Sequence, residues 1–531
     1  MTTLLQDLIF KTAARTPDAE ALKHRDTALS YAELRDRVET VATQLVGLGV
    51  DRAERVAVYL EKRIEAVVAM FGAAAAGAVF VPVSPVLRPN QVAHILKDCN
   101  VRVLITSHAR LESLSEVLPG CHDLNTIILV DGDAKAESAP RHVSLESWDN
   151  TRGARKRNDV RLHRVIDIDM AAIFYTSGST GMPKGVVLSH RNLVTGGLSV
   201  SEYLENTSSD RILSLLALNF DAGFSQLTTG FYVGAAVVLT DFLFPRDVIS
   251  IVAKEGITGI GGVPPLWNQL ADLPWPPEAQ RSMRYFSNTG DRMPKKTLDL
   301  LRKALPNTKP YLMYGLTESF RSTYLPPAEV DRRPDSIGKA VPNAEILVVR
   351  EDGTLCGPNE PGELVHRGAF VSLGYWNDPE RTAERFKPAP GQPSELVMKE
   401  MAVWSGDTVR MDEEGFLYFI GRTDGMIKTS GYRVSPTEVE DVIYAQGSVK
   451  EVVAVGVPHP TIGQGIVVVC TPREGGKVDG ETILEHCRGA LPMYMVPHHV
   501  IERVTIERNA NGKIDRKKLA DEFTGLFAAK S

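Results

Sequence analysis

Short β-branched runs alternate with amphipathic helical patterns along the first half of the chain, and no other feature constrains the fold as strongly. A helical pattern over Tyr31–Leu48 leads into the strand run Val56–Leu60, and a further helical stretch precedes Val79–Val83. The rhythm recurs at Val101–Ile105, Thr126–Val130, Ala235–Leu239 and Ile257–Gly261, each flanked by helical stretches or turns. Strands that return through helices run parallel, so the pattern predicts an α/β domain with largely parallel sheets. Ligands in such folds sit at the carboxyl ends of the strands. The longest apolar stretch, Ala66–Val83, is alanine-rich, is broken by Gly72, Gly77 and Pro82, and follows Glu61-Lys62-Arg63. It reads as a buried helix leading into a strand, and no transmembrane segment is expected.

The texture changes twice further on. From Glu345 to Arg367, strands are separated by turns such as Glu351-Asp352-Gly353 and Pro358-Asn359-Glu360-Pro361-Gly362, which predicts a small antiparallel or barrel-like subdomain. Beyond Gly421, a helix over Pro436–Tyr444, strands over Glu451–Val457 and Ile466–Thr471, and a helix over Thr482–Ala490 predict a compact α+β C-terminal module. A chain of 531 residues exceeds one ordinary core, which agrees with more than one domain. There is no internal repeat, and the charge-dense stretch Arg152–Arg164 reads as a solvated connection.

Composition narrows the partners. With 43% hydrophobic and 24% charged residues the chain resembles a folded soluble protein. A net charge of -6 gives no basic surplus for nucleic acid, which is not an expected partner. Cys99, Cys121, Cys356, Cys470 and Cys487 lack CxxC spacing, arguing against a zinc cluster or a disulfide framework. The opening MTTLLQDLIFKTAAR has only brief apolar stretches and no basic start, so it does not read as a secretory signal. A cytoplasmic location is the expectation.

The strongest local signal runs from Tyr175 to Gly185: Thr176, Ser177, Gly178, Ser179, Thr180, Gly181, Met182, Pro183 and Lys184 lie between them, directly after an apolar run. Its amides and hydroxyls can surround polyphosphate oxygens. The spacing departs from G-x-x-x-x-G-K-[ST], since Lys184 follows Pro183 and precedes Gly185, which disfavours a kinase or NTPase. Taken alone, the run is equally compatible with a flexible loop.

With its neighbours, this loop resembles the adenylate-forming superfamily: acyl-CoA synthetases, amino-acid-adenylating domains and firefly luciferase. The resemblance extends from Thr16-Pro17-Asp18-Ala19 and Ser30-Tyr31-Ala32-Glu33-Leu34 to Asn511-Gly512-Lys513-Ile514-Asp515, with the intervening motifs in family order. Within the superfamily the chain resembles ligases encoded beside exosortase and exopolysaccharide systems, which fixes no substrate. The resemblance implies an α/β N-terminal domain over residues 1–423 that binds ATP and a carboxylic acid. It also implies a small mobile C-terminal domain over 424–531, with a hinge at Asp424.

Residue by residue, the resemblance implies nucleotide contacts from the loop Thr176–Gly181 and from Lys184. In Tyr314-Gly315-Leu316-Thr317-Glu318 it implies that Thr317 meets the phosphate and Glu318 holds Mg2+, together with Thr180; a hard carboxylate oxygen suits that ion. Asn288, Gly290 and Asp291 match the loop against adenine, although the family more often has another residue at the Asp291 position. Asp407 and Arg422 match ribose contacts; without its neighbours Asp407 would read as a turn residue. Lys428 and Gly431 match the loop that faces the site for thioester formation, where glycine leaves room for a pantetheine arm. Lys513 matches the lysine that enters for adenylation, where a fixed cation orients the carboxylate and offsets charge at the α-phosphate.

The implied reaction is AMP-forming activation of the acid, followed by transfer to coenzyme A or to a carrier-protein phosphopantetheine. Luciferase-like oxidation and a non-catalytic nucleotide binder are the rivals. For the acid pocket the expected residues are Phe220, Asp221, Gly223, Trp267 and Leu316. Asp221 reads either as the cap of a helix beginning at Ala222 or as the partner of a substrate ammonium. Trp267 could limit the depth, so a small or medium acid is expected.

Overall fold

The computed structural model describes residues 2–133, 138–148, 160–176, 183–241, 244–422, 425–429, 432–460, 462–473, 476–491, 493–508 and 514–527. The chain divides into two compact units, Met1–Leu347 with Val365–Trp404, and Val348–Leu364 with Ser405–Ser531. This partition differs from the expected boundary at 423/424, and Asp424 itself lies outside the described residues.

The first unit is built on two sheets. Its strands are β1 (Glu20–His24), β2 (Thr27–Ser30), β3 (Arg55–Tyr59), β4 (Val79–Pro82), β5 (Val101–Thr106), β6 (Thr126–Leu129), β7 (Ser144–Ser147), β8 (Met170–Thr176), β9 (Lys184–Ser189), β10 (Arg211–Ser214), β11 (Ala236–Leu239), β12 (Gly259–Gly262), β13 (Tyr285–Asn288), β14 (Lys309–Tyr314), β15 (Thr323–Leu325) and β16 (Ser336–Ala340). One sheet has the order β7-β6-β5-β3-β4-β8-β9. All its pairs are parallel except β8–β9. In the other, β2-β1-β11-β10-β12-β13-β14-β15-β16 are consecutive. Its central pairs from β1–β11 to β13–β14 are parallel. The parallel α/β expectation therefore holds, because the intervening segments form helices long enough to cross over.

Local chemistry explains the boundaries. The Tyr31–Gly47 helix starts at a capping box: Glu33 N–H donates to Ser30 Oγ at 3.2 Å, and Ser30 N–H donates to Glu33 Oε2 at 2.8 Å. The apolar stretch forms the Ile64–Ala76 helix, stopped by Gly77 in the left-handed region at φ +84°, and then β4. The Asp221–Val233 helix is buried on opposite faces. Phe224 packs on Phe71, Phe80 and Phe174 with ring centroids 5.1–5.7 Å away, and Phe231 packs on Phe71 and Tyr31. Ala222, Ser225, Gln226 and Thr229, at helical spacing, form the other face.

A buried lysine joins the two sheets at their carboxyl ends. Lys62, just beyond β3, donates from Nζ to the carbonyls of Ser214 and Leu215 at 2.9 Å and of Thr240 at 3.0 Å, at the ends of β10 and β11. Burial pushes its ammonium down to about 8.

In the second unit, Val449–His459 and Gly463–Pro472 form a long antiparallel pair, and His499–Glu502 adds in parallel. The Pro436–Gln446 and Gly480–Ala490 helices contribute Val439, Ile443, Ile483 and Cys487 to its core. This matches the expected α+β module. Among the described residues no helix is long and apolar enough to cross a membrane.

Candidate active site

The loop singled out in the sequence joins two antiparallel strands. Thr176, the last residue of β8, is in register with Lys184, the first of β9. Ser177, Gly178, Ser179, Thr180, Gly181 and Met182 lie outside the described residues. The segment is followed by the strand β9, which sets it apart from phosphate loops that open a helix. Because β9 is antiparallel to β8, Lys184 sits at the carboxyl end of β8, where an α/β sheet presents its ligand-facing residues.

Across from it, β14 ends at Tyr314, and Thr317–Ser319 form a tight turn. Lys184 Nζ is 3.0 Å from Glu318 Oε1 and 2.8 Å from Tyr375 Oη, and Tyr375 O–H donates to the same Glu318 oxygen at 2.6 Å. Lys184 also stands over the Tyr375 ring, 4.1 Å from its centroid. Burial pushes the Glu318 carboxyl up, but the Lys184 ammonium and the Tyr375 hydroxyl outweigh it and hold the group below the usual carboxylate range. Burial and the neighbouring Glu318 charge raise the Tyr375 phenol, so it remains a donor.

Sequence reasoning missed Tyr375. Its position is set by backbone pairing: Val187 N–H donates to Gly374 C=O at 2.9 Å, Leu373 N–H to Val187 C=O at 2.8 Å and Trp376 N–H to Gly185 C=O at 2.7 Å. Residues 373–376 thus form an antiparallel lane along β9, with Tyr375 bridged to Val186.

Phe320, also unsuspected, is the pivot of the turn. It has φ +55° and ψ −56°, a strained conformation for a bulky residue, and its fully buried ring lies where a Cβ at Gly196 would come within 2.2 Å. The reversal sends Glu318 towards Lys184 and Arg321 towards Asp221. Arg321 Nη1 is 3.2 Å from Asp221 Oδ2, and both side chains are buried. The helix begins at Asp221 itself, with Phe220 as its N-cap, and the Asp221 carboxylate is paired with the Arg321 guanidinium.

Beside this pair lies a narrow pocket that is partly open to solvent. The Asp221–Val233 helix supplies Ala222, Ser225, Gln226 and Thr229, and Met313 and Arg321 line another side. None of the five expected pocket residues lines it. Gly223 serves packing: a Cβ there would lie 2.0 Å from the Ala217 carbonyl oxygen. Trp267 is fully buried, its ring 5.3 Å from Phe286. Leu316 packs at the edge of the main hydrophobic core.

The remaining expected residues fall in separate segments of the chain. Asn288 ends β13 and donates from Nδ2 to the Asp291 carbonyl at 2.8 Å, Gly290 turns at φ +85°, and Asp291 is exposed. In the second unit, buried Asp407 is in strand register with Arg422. The side chain of Lys428, and all of Gly431 and Lys513, lie outside the described residues.

The family model that covers most of the chain places it among the adenylate-forming ligases, and the α/β fold agrees. The chain belongs to the AMP-binding enzyme family: the family model matches residues 9–376, and that of the AMP-binding enzyme C-terminal domain matches residues 438–513. It is 29% identical over 550 residues to the long-chain-fatty-acid–CoA ligase of Escherichia coli O157:H7, covering 98% of this chain and 95% of that one. It is also 29% identical over 520 residues to gramicidin S synthase 2 of Brevibacillus brevis, where 97% of this chain spans only 11% of the relative. The crystal structure of ATP-bound MatB from Rhodopseudomonas palustris shares the fold, with a TM-score of 0.86 and 24% identity over 99% of this chain and 100% of that one. So does the anthranilate CoA ligase AuaEII in complex with anthranoyl-AMP, with a TM-score of 0.87 and 23% identity over 99% of each chain.

Proposed function

We propose that the protein couples ATP cleavage to AMP and pyrophosphate with activation of a carboxylic acid, and passes the acyl group from the adenylate to coenzyme A. The observation that carries this reading is the Lys184–Glu318–Tyr375 cluster at the carboxyl ends of β8 and β14. It holds a carboxylate as an anion beside an ammonium, and the pair suits a polyphosphate with its counter-ion. Both side-chain contacts fall on Glu318 Oε1, which leaves Oε2 as the oxygen that would hold Mg2+. When bound, that ion would neutralise charge on the departing pyrophosphate.

The chain's own residues account for the rest by positioning and electrostatics. Thr176 and the glycine loop would surround the phosphates, Thr180 would join Glu318 in holding the metal, and Thr317 would meet the phosphate. Asn288, Gly290, Asp291, Tyr314 and Gly315 border the base, and Asp407 with Arg422 takes the ribose hydroxyls. Lys513 orients the attacking carboxylate. For the second step the domain from Asp424 onward would turn, replacing Lys513 by the loop of Lys428 and Gly431, through which the thiol enters.

Coenzyme A is favoured as acceptor by the 95% coverage of the fatty-acid–CoA ligase relative. A carrier-protein phosphopantetheine is the second reading, favoured by the gramicidin S synthase relatives. Acid-dependent ATP–pyrophosphate exchange tests the first half-reaction. AMP release dependent on coenzyme A, against a phosphopantetheinylated carrier protein, tests the acceptor; absence of exchange with every acid of a broad panel would overturn the proposal.

A further inference from the structure

The polar face of the Asp221–Val233 helix and the neighbouring Arg321 carry groups that the described residues do not satisfy. Gln226 Oε1, Thr229 Oγ1 and Arg321 Nε are each buried with no hydrogen-bond partner among the described residues. Their residues are only 9%, 2% and 4% exposed, and all three line the pocket. The amide nitrogen of Gln226 is engaged, donating to the Leu213 carbonyl at 3.1 Å, which fixes the side chain with its oxygen as the spare acceptor. The Arg321 guanidinium is likewise pinned, by Asp221 and by the Phe320 carbonyl at 2.7 Å, with Nε–H left as a spare donor. One acceptor, one donor and one hydroxyl that can be either therefore border the same pocket.

We infer that the acid activated by this protein carries an uncharged hydrogen-bonding substituent, a hydroxyl or a carboxamide, read by Gln226, Thr229 and Arg321. The inference rests on the adenylation reading above. A plain alkyl tail would dehydrate these polar atoms without pairing them, and buried polar groups are, as a rule, hydrogen-bonded. A charged tail fits no better. Arg321 and Asp221 already compensate each other at 3.2 Å, so an ammonium or a second carboxylate would find no unpaired counter-charge in that pair. The non-polar remainder of the wall, including Val200, Leu204, Ile212 and Met313, suits the short carbon chain between the two ends of such an acid.

The test is ATP–pyrophosphate exchange with four- to eight-carbon acids in matched sets, ending in methyl, hydroxyl, carboxamide, ammonium or carboxylate. The hydroxyl or carboxamide member is expected to exceed its methyl partner at least tenfold in kcat/KM, since a site built to hydrogen-bond rejects an analogue lacking the group. Thr229→Val, which keeps the shape, and Gln226→Met should each lower that ratio at least fivefold, acting mainly on KM, with melting temperatures close to wild type. A wild-type preference for the methyl-ended or a charged acid overturns the inference, as does a ratio that neither variant moves; the latter would mean that the polar atoms only hold water. Exchange with no acid at all would instead bring down the adenylation reading, and this inference with it.

Discussion

Lys184 and Glu318 meet at 3.0 Å although 134 positions separate them, and Tyr375 closes the triangle with one hydrogen bond to each. Glu318 is an anion because Lys184 and Tyr375 overcome the burial that would protonate it. With its carboxyl depressed in the folded state, the contribution it makes is present above the unfolded value and is lost as pH falls through the folded one. Lys184→Met removes the largest opposing influence. The acid limb of the pH profile for pyrophosphate exchange should then move to higher pH, and exchange at neutral pH should fall at least tenfold. Tyr375→Phe should shift it in the same direction by less. An acid limb that stays in place in both variants would show that Glu318 does not titrate as described.

The buried Asp221–Arg321 pair makes a thermodynamic prediction that is independent of substrate. Removing one partner leaves a lone buried charge, so Asp221→Asn and Arg321→Met should each destabilise by about 3–5 kcal/mol in urea titrations. The double variant should recover much of the loss, giving a favourable coupling in the double-mutant cycle. Additive losses would mean that the two side chains do not depend on each other.

Lys62 predicts a stability change on the alkaline side. Its ammonium is depressed from 10.5 to about 8 in the folded protein, so between these values the unfolded chain holds more protons and stability rises with pH. The span corresponds to a contribution of about 3 kcal/mol in all. Lys62→Met should lose this rise and, by leaving three carbonyls unpaired, should also lower stability at pH 7 by roughly 2–4 kcal/mol. Denaturant midpoints measured between pH 7.5 and pH 10 for both proteins check it; parallel curves would refute the assignment.

The proposed division of labour in the C-terminal region separates two half-reactions. Lys513→Ala should suppress adenylate formation at least a hundredfold while leaving thioester formation from a supplied acyl-adenylate within a fewfold. Gly431→Trp should do the reverse. Equal losses in both half-reactions for Lys513→Ala would remove its special part in the first step.

What could be read in the sequence was local. The helical pattern over Tyr31–Leu48 becomes the Tyr31–Gly47 helix, and the runs at Val101 and Thr126 become strands because β-branched side chains suit a pleated surface. Lys184 and Glu318 were visible because each lies in a motif that resembles a family. Tyr375 and Arg321 were not. Nothing near Tyr375 distinguishes it from any aromatic residue on a strand; it matters because the lane 373–376 pairs with β9. Arg321 finds Asp221 a hundred positions away only because Phe320 reverses the chain, and sequence offered no sign of a bulky residue in that conformation. Asp221 illustrates the same limit: aspartate at the start of a helix suggests a cap, and its pairing with a guanidinium a hundred positions away is not legible locally.

The two-faced helix of Asp221–Val233 has a consequence for how such a protein can diverge. Phe224 and Phe231 hold the sheets together, whereas Ser225, Gln226 and Thr229 touch the pocket, and the two sets interleave along one helix without sharing a position. Lineages descended from this chain can therefore exchange the second set a residue at a time while inheriting the first intact. On the proposed reading of the pocket, single substitutions in the second set would change the acid accepted while leaving the aromatic packing undisturbed.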